Sequence, residues 1–111
     1  MPHMVINYAR SIEADIDLNH LMQKVLETAE KTGLFSPEAI RVRAIPVDYY
    51  HALGGGKPFI YLEAKLFSGR TEEQKKMMAD MLLDCIAGIV DPSVAISVEP
   101  HDMEKATYVK R

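Results

Sequence analysis

The chain states one plan twice: proline, strand, helix, strand, proline, running from Pro2 to Pro46 and again from Pro58 to Pro100. In the first copy, residues 2–8 (PHMVINY) are short, apolar and free of glycine, which predicts a strand. Leu18, Leu21, Met22, Val25, Leu26 and Ala29 follow at i, i+3, i+4, i+7, i+8 and i+11, the stripe of an amphipathic helix. Asp17 is placed to cap that helix, and Gly33 to end it in the left-handed conformation. Residues 40–47 (IRVRAIPV) alternate and are β-branched, so they read as a second strand.

The second copy is plainer. Residues 59–67 (FIYLEAKLF) alternate aromatic and aliphatic side chains with polar ones. Thr71 with Gln74 forms a capping box, and Glu72 and Glu73 suit the positive end of the helix dipole. Met77, Met78, Met81, Leu82, Cys85, Ile86 and Ile89 predict a buried stripe, Asp91-Pro92 stops the helix, and residues 94–99 (VAISVE) give a fourth strand. Right-handed crossovers in both units then place two helices on one face of a four-stranded mixed sheet. The expected class is α+β, one domain over residues 1–111, with β-α-β units at about 2–47 and 58–100. Met4, Ile6, Ile60 and Leu62, together with their alternates, exceed what two helices hide, so the other sheet face is expected to join copies of the chain. Residues 107–109 (TYV) read as a short C-terminal strand, residues 49–57 as a glycine-rich loop, and Gly54-Gly55-Gly56-Lys57 within it as a hairpin turn.

Composition removes whole classes. With 111 residues, 48% hydrophobic and 26% charged, the chain reads as an ordinary soluble domain. One cysteine rules out a disulfide framework, and no apolar run approaches the roughly 20 residues of a membrane helix. A cytoplasmic location is expected. The net charge of −3 argues against nucleic acid as a partner.

Several reactive-looking residues have plain explanations. The four histidines occupy separate elements without metal-ligand spacing. Gly54-Gly55-Gly56-Lys57 lacks the following Ser or Thr, and the helix, of a phosphate loop. Cys85 lies in the apolar stripe, where a buried core thiol is expected. Three features resist such readings. Pro2 directly follows Met1, so removal of Met1 exposes a secondary amine at the start of a strand. Arg41 and Arg43 share one strand face, a pattern that asks for anions or for open solvent. Arg70 stands just ahead of a helix N-terminus, where guanidinium and amides can converge on a carboxylate.

Together these features resemble the tautomerase superfamily. Within it, Met1-Pro2-His3, Thr32-Gly33-Leu34-Phe35, Ile40-Arg41-Val42-Arg43, Val47-Asp48 and Gly69-Arg70-Thr71 resemble the 5-carboxymethyl-2-hydroxymuconate isomerase family, in register from Pro2 to about Glu99, with the tail matching poorly. The resemblance implies a tautomerase-like fold and a homotrimer with sites between subunits. It implies Pro2 as the catalytic base, with Arg41, Arg70 and, less centrally, Arg43 binding substrate carboxylates. The implied chemistry is a proton shift in an enol dicarboxylate during aromatic compound catabolism, with no metal or organic cofactor. Tyr49, Tyr50 and Phe59 are expected to form the apolar wall. The alternatives on the same scaffold are another small enol or unsaturated acid as substrate, or a non-catalytic trimeric binding module. A ferredoxin-like ligand-binding domain follows if the β-α-β units are split.

Overall fold

The computed structural model describes residues 1–111. Its strands are β1 (His3–Ala9), β2 (Arg41–Val47), β3 (Phe59–Phe67) and β4 (Ala95–Met103), and its helices are α1 (Leu18–Lys31) and α2 (Glu72–Ala87). The sheet order is β2-β1-β3-β4, with β1 parallel to β2, β3 parallel to β4, and β1 antiparallel to β3. Each β-α-β unit is therefore intact, which excludes the split arrangement of a ferredoxin-like domain. The duplication extends to single hydrogen bonds. The Pro2 carbonyl accepts the Arg41 N–H at 3.0 Å, and the Pro58 carbonyl accepts the Ala95 N–H at 2.9 Å.

Both helices start as the sequence predicts. Asp17 accepts the Asn19 N–H, and Thr71 with Gln74 closes a reciprocal capping box. Gly33, at φ 73°, follows the last turn of α1. α1 buries Leu21, Val25 and Ala29; α2 buries Met78, Leu82 and Ile86, each set spaced by four residues. Met77 is exposed and Cys85 only half-buried, because the stripe facing the sheet is narrower than the apolar run.

Met4, Ile6, Ile60 and Leu62 are all fully buried within one chain. The cause is register: Ile6 opposes Leu62, Met4 opposes Ala64 and Tyr8 opposes Ile60, so every one of them faces the helices. The far face of β1 and β3 instead presents His3, Asn7, Tyr61, Glu63 and Lys65 around Val5. The far face is thus mixed, with Ala9, Phe59 and Phe67 on the same alternation, and the four residues counted toward its covering lie on the helix side.

β4 runs four residues past the expected stop at Glu99. Pro100 is tolerated there because β4 is an edge strand, as is β2 with Pro46. Residues 49–57 are a loop as expected, but Gly54-Gly55-Gly56-Lys57 is not a hairpin turn, since β2 and β3 flank β1 and do not pair. Residues 107–109 form no strand; Lys105–Thr107 is a 3₁₀ turn.

Candidate active site

Antiparallel pairing of β1 and β3 brings the C-terminal end of β3 beside the N-terminus, and that geometry builds the site. Pro2 is buried immediately ahead of β1. Gly69, at φ 116° with open space around it, turns the chain from β3 into α2 and sets Arg70 just before the Thr71 cap. The loop after α1 supplies Leu34 and Phe35. Arg70 Nη2 donates to the Leu34 carbonyl at 2.6 Å, and its guanidinium carbon lies 5.6 Å from the Phe35 ring centroid. A guanidinium has five donors, so one bond to a carbonyl fixes its position and leaves others for a ligand.

Pro2, Leu34, Phe35, Phe67, Arg70 and Lys110 line a cleft of about 240 Å³. Met1, Ser36 and Ala39 complete its lining, and its charged side chains, Arg70 and Lys110, are both cationic. The terminal amine, on Met1, is pushed below the ordinary α-amino range by burial, then by Lys110 and Arg41. His3 is pushed below the ordinary imidazole range by burial, then by Arg43, the terminal amine, Lys65 and Arg41.

The structure therefore brings Pro2 and Arg70 together and sets Arg41 beside them. Arg41 opposes His3 in the sheet, and its Nη1 donates to the carbonyls of Glu38 and Ile40 at 2.9 and 3.2 Å, outside the cleft lining. Arg43 stands on the open sheet face, with Nη1 3.3 Å from His3 Nδ1. None of these three arginines pairs with a carboxylate, whereas Arg10 is held by both Glu13 and Asp48. Asp48 thus acts as an anchor for Arg10.

One part of the site escapes sequence reading. The tail folds back: Tyr108 packs edge-to-face on Phe67 at 4.9 Å, its hydroxyl lies 3.5 Å from His3 Nε2, and Lys110 reaches the cleft. Nothing in the sequence pattern marks those long-range contacts. The expected wall of Tyr49, Tyr50 and Phe59 lies elsewhere within the chain. Phe59 begins β3, so antiparallel pairing puts it at the end of the sheet away from Pro2, where Tyr50 stacks edge-on against it at 4.9 Å and Tyr49 is exposed.

A duplicated β-α-β sheet under two helices, with a proline ahead of β1 and an arginine ahead of α2, defines a tautomerase-fold protein. The solved structures agree. A 5-carboxymethyl-2-hydroxymuconate delta-isomerase matches with a TM-score of 0.85 at 19% identity, covering 100% of this chain and 88% of that one. A 5-carboxymethyl-2-hydroxymuconate isomerase from Deinococcus radiodurans R1 matches at 0.82 with 23% identity, covering 99% and 88%. A fused 4-OT described as a wild-type symmetric trimer matches at 0.78 with 16% identity, covering 98% and 93%. No curated protein matches by sequence. The model of the 5-carboxymethyl-2-hydroxymuconate isomerase family matches residues 2–111, so the chain belongs to that family of isomerases, and the match includes the tail. No helix is long and apolar enough to cross a membrane.

Proposed function

We propose that the protein isomerises an enol dicarboxylate of the 5-carboxymethyl-2-hydroxymuconate kind, with the Pro2 amine as general base. The observation that carries this reading is Pro2 and Arg70 lining one cleft, with no carboxylate of the chain neutralising that arginine. The family match also begins at Pro2, the residue that removal of Met1 would make the terminus. The neutral amine takes the enol O–H proton, the electron pair forms the ketone, and the conjugated chain receives the same proton at a distant carbon. Protons and charge balance, and one base serves both halves of the step without a metal or organic cofactor.

Arg70 binds one carboxylate through its free donors, and Arg41 the other; both cations favour the neutral amine. Leu34, Phe35 and Phe67 exclude water from the reacting carbons. The working form in this reading is a cytoplasmic homotrimer with sites between subunits; of this, a structural neighbour described as a symmetric trimer supports the threefold assembly.

The test is ultraviolet detection of enol loss in purified protein given a 2-hydroxymuconate dicarboxylate, beside the same enol with its distal carboxylate esterified. The dicarboxylate should turn over with the lower KM. Turnover of neither sinks the enzyme reading and leaves a binding module; equal turnover of both removes the second carboxylate from the specificity.

A further inference from the structure

The open face of the sheet is divided by charge along a single transverse row. Register aligns Arg43 on β2 with Val5 on β1, Val5 with Glu63 on β3, and Glu63 with Glu99 on β4. A cation thus stands at one edge and two acids toward the other, with buried Val5 between. β2 and β4 are separated by three strand spacings, about 14 Å at ~4.8 Å each, too far for Arg43 to reach Glu99 in its own chain.

The acids are held in place. The Tyr61 hydroxyl donates to Glu99 Oε1 at 2.5 Å, and His101 Nε2 lies 2.7 Å from the same oxygen and 3.8 Å from Glu63 Oε2. Asn7 Nδ2 donates to Glu63 Oε1 at 3.3 Å, and Lys65 lies 3.9 Å from Glu63 Oε2. Arg43 faces only the His3 ring and has no carboxylate partner. The two edges thus carry complementary charge, and a second copy whose β2 edge approached the β4 edge of the first would bring its arginine toward Glu99.

We propose that Arg43 is an assembly residue, joining the Glu99 and Glu63 pair of a neighbouring copy in a head-to-tail ring. Such a contact uses different patches on the two copies and closes when the rotation closes. The inference rests on the ring of copies named above, but not on its chemistry. It separates Arg43 from the arginines assigned to substrate.

The experiment is sedimentation velocity on the full chain across a concentration series. Arg43→Glu and Glu99→Arg each set like charges against one another and should weaken assembly by about tenfold or more. The double variant Arg43→Glu/Glu99→Arg restores opposite charges at every contact and should regain assembly, and Arg43→Lys should keep most of it. Single reversals that leave the assembly unaltered, or a double variant no better than either single, would overturn the proposal. If a single variant is unfolded by circular dichroism, the unaltered chain decides. Raising salt from about 0.05 M to about 1 M should shift it toward monomer, because screening shortens to roughly 3 Å; salt-insensitive assembly contradicts the ion pairs. A chain that assembles this way but turns over no enol would sink the isomerase reading alone.

Discussion

At one end of the sheet the Pro2 carbonyl accepts from Arg41; at the other the Pro58 carbonyl accepts from Ala95. Both prolines border a groove. The one at Pro58 is larger, about 640 Å³, and is lined by Ile16, Ile89, Asp15 and Asp91. Ile16 precedes the cap of α1 as Arg70 precedes the cap of α2. One backbone plan therefore yields two grooves of opposite charge, with Arg70 and Lys110 at the Pro2 end and two aspartates at the Pro58 end. The nitrogens differ as well. Pro58 is an internal tertiary amide in every form of the chain, whereas Pro2 becomes a basic amine once Met1 is gone. Duplicating a backbone plan thus duplicates neither the charge of its grooves nor a nitrogen that can be freed.

The largest effect should come from the nitrogens. One extra residue fixed ahead of Pro2 makes its nitrogen an amide and should remove the general-base contribution, about 10²–10⁴ in kcat/KM. Pro2→Ala leaves a primary amine and should keep part of the activity. Pro58→Ala should leave turnover unchanged, and a comparable loss there would erase the distinction between the two ends.

The charges come next. Arg70→Ala and Arg41→Ala should each lose a charge-assisted contact of about 1.5–3 kcal/mol, roughly ten- to a hundredfold in kcat/KM. Asp15→Asn and Asp91→Asn, at the other end, should change neither kcat nor KM. Steady-state kinetics with circular dichroism on each variant separates these outcomes.

Stability should show no such asymmetry. Leu21 on α1 and Leu82 on α2 are both fully buried, so either change to Ala should cost about 2–5 kcal/mol by denaturant unfolding. The caps should be the smallest effects: Asp17→Ala and Thr71→Ala about 1 kcal/mol each, read as nearly equal losses in Tm. A much larger loss in one half would mean that the two units contribute unequally to the fold.

What the sequence made legible follows the range of the interactions. β3 matches its predicted bounds and the capping box is present, because alternation and capping act over a few residues. The helix dipole and cap also announced where Arg70 would stand. Strand order and register are long-range, and there the reading failed. Alternation alone did not show that two helices could hide Met4, Ile6, Ile60 and Leu62 together, nor that antiparallel pairing sends Phe59 away from Pro2. Pro100 read as a stop because its missing N–H matters inside a sheet but not at an edge. Lys110 and Tyr108 gave no sign, since only the folded tail brings them to Phe67 and the cleft.

The central claim is that the Pro2 amine, freed of Met1, is the base. Preparations differing in Met1 removal, quantified by intact mass, should show turnover proportional to the fraction of chains beginning at Pro2 and extrapolating to none when Met1 is retained. Burial, Lys110 and Arg41 push the Met1 amine down; with Met1 gone, the Pro2 amine, in the same cleft, should be lowered by the same cations. Because the base must be neutral, kcat/KM of processed chains should rise with pH through one ionisation below the ordinary α-amino range of roughly 7.7–8.0. Full turnover in chains that all retain Met1 would contradict the account, since an amide nitrogen cannot accept the proton.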